Sequence, residues 1–278
     1  MGDRSIRDRR NLMCRAMRLM KIYVLLSALG IVAGAACSIK EDRSDCPCRL
    51  MLDMSSVRVG SGDSLELTIY SDTSCVCRQK LDSASLREDF VIDVPRRALR
   101  LMALCGGEGM TGRDGLVIPL GRSCPRVYTH VSEIDAACEM ACDTLKMKKN
   151  HCVVSIGFKY GQETEAELAV YGNVCGYDGY GLPLVGEFAA AAVRPQGEEK
   201  GLRQVVLPRQ CGGELVLRVT GVDGNPRNFR LSDYISAVGY DWTAPDLEDI
   251  KITIDMVHTT VSLSVSGWDE EFFFDVVI

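Results

Sequence analysis

From Cys46 onward the chain alternates apolar and polar residues in short stretches bounded by Gly, Pro, Asp and Asn. Successive side chains of a strand point to opposite faces, so a period of two marks a strand with one face buried. Leu65, Leu67 and Ile69 alternate with Glu66 and Thr68 ahead of Tyr70. Phe90 to Val94 stops at Pro95, and Leu99 to Leu104 stops at Gly106-Gly107. His151 to Phe158 and Glu165 to Tyr171 read as a pair joined by a Gly-containing loop. Glu214 to Thr220 runs into the turn Gly221-Val222-Asp223-Gly224-Asn225. Ile250 to Asp255, Val261 to Val265 and Phe272 to Ile278 complete the set.

Two stretches have helical features. Ser232 to Val238 begins with a capping residue and ends at Gly239, and Ser83 to Asp89 is the weaker candidate. Neither changes the class. Many short strands at ~8–12-residue spacing indicate an all-β protein of tandem Greek-key β-sandwiches. Two of about 100 residues each fill the length. The Gly-rich stretch from Val174 to Leu184 is the expected boundary, giving sandwiches over 48–175 and 176–278.

The first 47 residues follow no such pattern. Seven basic and two acidic residues precede or lie within a segment whose apolar core, Ile22 to Ala36, is 15 residues long and ends at Cys37. A bilayer-crossing helix needs ~20 apolar residues, whereas a basic stretch, a short apolar core and small residues are the parts of a secretory signal. Residues 1–36 are accordingly expected to be a signal peptide, with Met13, Met17 and Met20 as alternative starts. Gly34-Ala35-Ala36-Cys37 resembles a bacterial lipobox, with Gly34 where an aliphatic residue is usual. On this reading Cys37 is the lipidation site, and two or more acyl chains hold the protein to a membrane without a spanning helix. The alternative is a plain signal cut with Cys37 an incidental thiol. Residues 37–47 form a charged tether, which reads equally as a solvated linker or as an export signal for surface lipoproteins.

Removing this segment changes the charge picture. The whole chain carries a formal −6, but beyond residue 36 there are 25 basic and 36 acidic side chains. An acidic body argues against nucleic-acid binding, which calls for a basic face.

Candidate chemistry is sparse. The histidines are His130, His151 and His258. Cys46-Pro47-Cys48 and Cys75-Val76-Cys77 are C-x-C pairs, not the C-x₂-C spacing of a zinc knuckle, and no His accompanies them. Eleven cysteines remain after Cys14 and Cys37, an odd number that cannot be fully paired. They are expected as buried thiols or as one or two disulfides. There is no G-x-S-x-G, H-E-x-x-H or P-loop pattern. The expectation is therefore a non-enzymatic protein with no cofactor and no metal.

Asp241-Trp242 and Gly267-Trp268 place aromatics beside turns, the basis of an alternative reading as a surface glycan-binding lipoprotein. At the C-terminus Phe272, Phe274, Val276 and Ile278 share one strand face, and Phe273, Asp275 and Val277 the other. Such a strand either closes its own sheet, the better-supported option, or is donated to a partner's open edge.

Cys37-Ser-Ile-Lys-Glu-Asp-Arg-Ser-Asp-Cys46-Pro-Cys48-Arg-Leu50 resembles the start of the FimB/Mfa2 family of Bacteroidetes fimbrial anchor lipoproteins. Val94-Pro95-Arg96, Pro208 to Leu215, Leu231 to Ile235, and Tyr240-Asp241-Trp242 through to Gly267-Trp268 are similar as well. The resemblance implies two transthyretin-like β-sandwiches, an outer-membrane lipid anchor at Cys37, and a non-enzymatic role at the base of a fimbrium. It also implies a stalk fimbrillin partner engaged by β-strand exchange.

Overall fold

The computed structural model describes residues 46–60, 63–86, 89–107, 111–112, 115–159, 166–195, 201–222, 224–255, 258 and 260–275. The signal segment, Cys37 and most of the tether lie outside the described residues, as do Val276 to Ile278. The body from Pro47 onward is a unit in itself.

In chain order the first strands are β1 (Cys48–Asp53), β2 (Ser64–Ser71), β3 (Ser74–Asp82), β4 (Asp89–Val94) and β5 (Ala98–Cys105). They are followed by β6 (Thr111–Gly112), β7 (Gly115–Val117), β8 (Tyr128–Asp135), β9 (Met140–Thr144) and β10 (Lys148–Lys149). Next come β11 (His151–Phe158), β12 (Glu167–Asp178), β13 (Pro183–Ala191), β14 (Arg203–Pro208), β15 (Val216–Thr220) and β16 (Pro226–Phe229). A short helix, α1 (Leu231–Ala237), precedes β17 (Ile250–Asp255), β18 (Thr260–Val265) and β19 (Glu271–Asp275). The all-β expectation holds.

Sheets ordered β4-β1-β9 and β10-β8-β5-β2-β3 enclose the first core. Alternate residues fill it, including Leu50 and Leu52 of β1, Leu65, Leu67 and Ile69 of β2, and Leu99, Leu101 and Ala103 of β5. Sheets ordered β14-β11-β17-β18-β19 and β16-β15-β12-β7-β6, with β13 on the other side of β12, enclose the second. Both sandwiches open alike. β1 lies between antiparallel β4 and parallel β9, and β11 lies between antiparallel β14 and parallel β17. The second sandwich then adds β18 and β19 beyond the parallel strand, whereas no described strand lies beyond β9.

β5 belongs to both cores. Leu99, Leu101, Ala103 and Cys105 face the first, while Met102 and Leu104 on the opposite face join the second. That double burial explains why Leu99 to Cys105 is apolar with almost no alternation.

Three expectations change. β11 and β12 do not pair with each other: β11 hydrogen-bonds to β14 and β17, β12 to β13, β15 and β7, so they sit in opposite sheets. Both were expected in the first sandwich; their sheets enclose the second core, together with β6 and β7 from earlier in the chain. The Val174–Leu184 stretch is the β12–β13 hairpin, whose turn is fixed by Asp178 Oδ1 accepting from the N–H groups of Tyr180 (2.8 Å) and Leu182 (2.9 Å). Turn residues read the same way within a sheet and between domains. Finally, Ser83 to Ser85 is a turn after β3, not a helix, and Ser232 lies inside α1, whose N-cap is Arg230 with no side-chain cap.

Candidate functional site

One residue, Asn150, separates β10 from β11, and the polar groups around it bind the two sandwiches together. Its N–H donates to Val127 O (3.0 Å), its Nδ2 to Thr129 Oγ1, and its carbonyl accepts from the Tyr177 hydroxyl. Its Oδ1 accepts from Arg209 Nε (3.0 Å) and Nη2 (2.6 Å). Arg209 reaches on to the carbonyls of Trp242 and Ala244 (2.8 Å) through Nη1, and its backbone N–H donates to Tyr177 Oη (2.7 Å). The planar guanidinium suits this role, because one rigid fork satisfies carbonyls from two separate segments.

Flanking residues extend the clasp. Lys149 donates through its N–H to Asp246 Oδ1 (2.6 Å) and through Nζ to Asp249 Oδ1 (2.7 Å), which also accepts from Val153 N–H (2.8 Å). His151 Nδ1 bonds Val127 O (3.0 Å), and its ring meets Tyr128 edge-on at 5.1 Å. Burial lowers the His151 pKa and raises that of the Tyr177 phenol, so both are held neutral.

A second contact lies at the β12–β13 hairpin. The Arg100 guanidinium of β5 stacks 3.5 Å from the Tyr180 ring, with Tyr70 at 5.5 Å. Here the backbones approach closely. Gly176 has φ +154°, and a Cβ there would fall 2.0 Å from Leu116 O. Glycine is required where β7 meets β12.

Catalytic arrangements are not built from the candidate groups. Ser132 Oγ donates to Asp143 Oδ2, and His130 Nε2 lies 3.2 Å from the same oxygen. His130 Nδ1 lies 3.2 Å from Lys146 N and 3.3 Å from Lys146 O. Serine and histidine thus both meet the Asp143 carboxylate and not each other. All eleven described cysteines are free thiols. Cys152 is fully buried, and burial pushes its thiol up to about 12. No group of three His, Cys, Asp or Glu suited to a metal occurs among the described residues.

The tryptophans are not a pair flanking a groove. Trp242 packs against the second core with Tyr240 at 4.8 Å and its carbonyl held by Arg209, whereas Trp268 is part-exposed beside Phe272. An open recess of about 900 Å³ lies elsewhere, along β12 and β15, where Arg218 stands 4.8 Å over Tyr171.

β19 closes its own sheet by antiparallel pairing with β18. Phe272 and Phe274 pack against the second core, as the alternation predicts, and Phe273 faces out at 65% exposure. The far edges of β19 and β9 have no partner strand among the described residues. Glu271 and Asp275 share the exposed face of β19 with Phe273.

Cys37 lies outside the described residues, and no helix among those described is long and apolar enough to cross a membrane. Asn150, Arg209 and Tyr177 are not identifiable as a clasp from sequence. The Pro208-Arg209-Gln210 run stands out only through the family resemblance, since a junction formed across 59 residues leaves no local period.

No family model and no curated protein matches the chain. Solved structures do. The fimbrial anchor protein Mfa2 from Porphyromonas gingivalis superposes with a TM-score of 0.55 at 12% identity, over 80% of this chain and 98% of that one. A candidate adhesin from Bacteroides ovatus gives 0.57 at 9% identity, over 81% and 96%. Another from Bacteroides thetaiotaomicron gives 0.55 at 13% identity, over 81% and 97%. At these identities the likeness establishes a shared fold.

Proposed function

We propose that the chain is a non-enzymatic fimbrial subunit, an anchor and assembly protein at the base of a fimbrium on the outer membrane. The observation that carries this is the two-sandwich fold shared with the Mfa2 anchor along 80% of the chain. The lipobox-like Cys37 and the acidic body support it independently of the fold. Acylated Cys37 holds one end. Ten residues lie between it and Cys48, where β1 starts, and at about 3.5 Å per extended residue the connection spans at most ~40 Å. Load entering β1 passes through the first sandwich and the Asn150–Arg209 clasp into the second.

At the far end a stalk fimbrillin is engaged by strand exchange, in which backbone hydrogen bonds supply affinity and alternate side chains fill pockets. The free edges of β9 and β19 are the candidate pairing lines. The glycan-binding alternative calls for an exposed aromatic pair, and the half-buried Trp242 does not support it.

The anchor is tested with Cys37→Ala. Expected results are loss of fatty-acyl labelling and release from the membrane fraction. A variant that stays membrane-bound, from a parent that never takes up label, would overturn the assignment of Cys37.

A further inference from the structure

The point where the tether enters the first sandwich carries a thiol pair. Cys48, the first residue of β1, is fully buried. β1 runs parallel to β9 with Arg49 opposite Met140, and Arg49 N–H donates to Glu139 O (2.9 Å). That register sets Cys138, in the bend before β9, one residue ahead of Glu139, which lies level with Cys48, so the Cys138 thiol is close enough to act on the Cys48 thiol. Cys138 is exposed, with its Sγ 2.8 Å from Met140 O. One partner of the pair is therefore open to solvent and the other is sealed in the core.

We infer that Cys48 and Cys138 form a redox-active pair that closes to a disulfide on exchange with a small-molecule or protein disulfide. The Cys138 thiolate attacks one sulfur of the oxidant, forming a mixed disulfide and releasing one thiol. The Cys48 thiolate then attacks the Cys138 sulfur, forming the internal bond and expelling the second thiol. Two protein thiols are oxidised, one external disulfide is reduced to two thiols, and the Cys48 and Cys138 protons end on those products.

Burial raises the Cys48 thiol pKa, so the second step speeds up with pH. The product ties the start of β1 to the β8–β9 turn across about 90 residues, a long loop whose closure restricts the unfolded chain strongly. Under the anchor reading, and only there, the same bond carries tension from the tether directly to the turn instead of through the β1 hydrogen bonds.

The test is thiol mapping of the purified full chain before and after incubation with oxidised glutathione, by differential alkylation and mass spectrometry. Trypsin places Cys48 with Cys46 in Ser44–Arg49, and Cys138 with Cys142 in Val127–Lys146. Cys46→Ser and Cys142→Ser backgrounds assign the bond. The expected result is a crosslinked peptide pair lighter by two hydrogens, retained in both backgrounds. The thermal midpoint should rise on the order of 10 °C. Recovery of both residues as alkylated thiols after oxidation overturns the inference, as does pairing of Cys138 with Cys142 or Cys46. Mapping is independent of membrane attachment, so its failure leaves the anchor reading untouched.

Discussion

Replacing Arg209 with Met keeps the aliphatic stem and removes the fork that joins Asn150 to the 242–245 segment. The wild-type side chain makes two bonds to Asn150 Oδ1 and one each to the carbonyls of Trp242, Ala244 and Pro245. A hydrogen bond to a charged group contributes about 1.5–3 kcal/mol where water is kept out. Arg209 is half-buried, and the Pro245 contact, at 3.4 Å and exposed, is readily replaced by water. Counting the Asn150 and the Trp242/Ala244 interactions as two effective losses gives a destabilisation of about 3 kcal/mol. For a body of this size that lowers the thermal midpoint by about 6–12 °C. Urea unfolding followed by tryptophan fluorescence measures it, because Trp242 sits on the clasp. A double-mutant cycle with Asn150→Ala should return a coupling of about 1–2 kcal/mol. If Arg209→Met unfolds within about 0.5 kcal/mol of wild type, or the cycle shows no coupling, the clasp does not hold the sandwiches together.

Other perturbations separate parts of the same account. Gly176→Ala forces a Cβ against Leu116 O at a φ of +154°, so it should cost about 3 kcal/mol or more and expose the β7 amides to hydrogen exchange. Phe274→Ala, which removes a ring 5.2 Å from Tyr234, should cost about 2–3 kcal/mol, and Phe273→Ala under about 0.5 kcal/mol, in chemical denaturation. Equal effects would contradict the register of β19. His151 has a folded pKa below its unfolded value of 6.5. Unfolded chains therefore gain a proton that the folded protein refuses, and stability is lost as pH falls below about 6.5, by up to about 1.4 kcal/mol per unit. His151→Gln should flatten that slope in urea titrations between about pH 6.5 and 5.5, and an unchanged slope would assign it to other groups.

The strands with one buried face were legible in the sequence. Ile250 to Asp255 and His151 to Phe158 begin and end where the alternation does, because each apolar position meets a core residue and each bounding residue a turn. β3 escaped that reading because, as an edge strand, almost all of its side chains are exposed. β13 did so because Phe188-Ala189-Ala190-Ala191 offers no polar alternation. The mispairing of β11 with β12 has another cause: a loop joining strands reads the same whether it stays in one sheet or crosses between two. The clasp was illegible for the reason that makes it effective, since Asn150, Tyr177, Arg209 and Trp242 come from distant segments. The expectation that Phe272 and Phe274 face inward needed only the period.

Crosslinking on intact cells of the native host, followed by purification through this chain, tests the fimbrial assignment most directly. The account predicts recovery of a stalk fimbrillin at stoichiometric level, joined to residues on the free edges of the sandwiches. Recovery of the chain without any fimbrial subunit, from cells that display fimbriae, would contradict it.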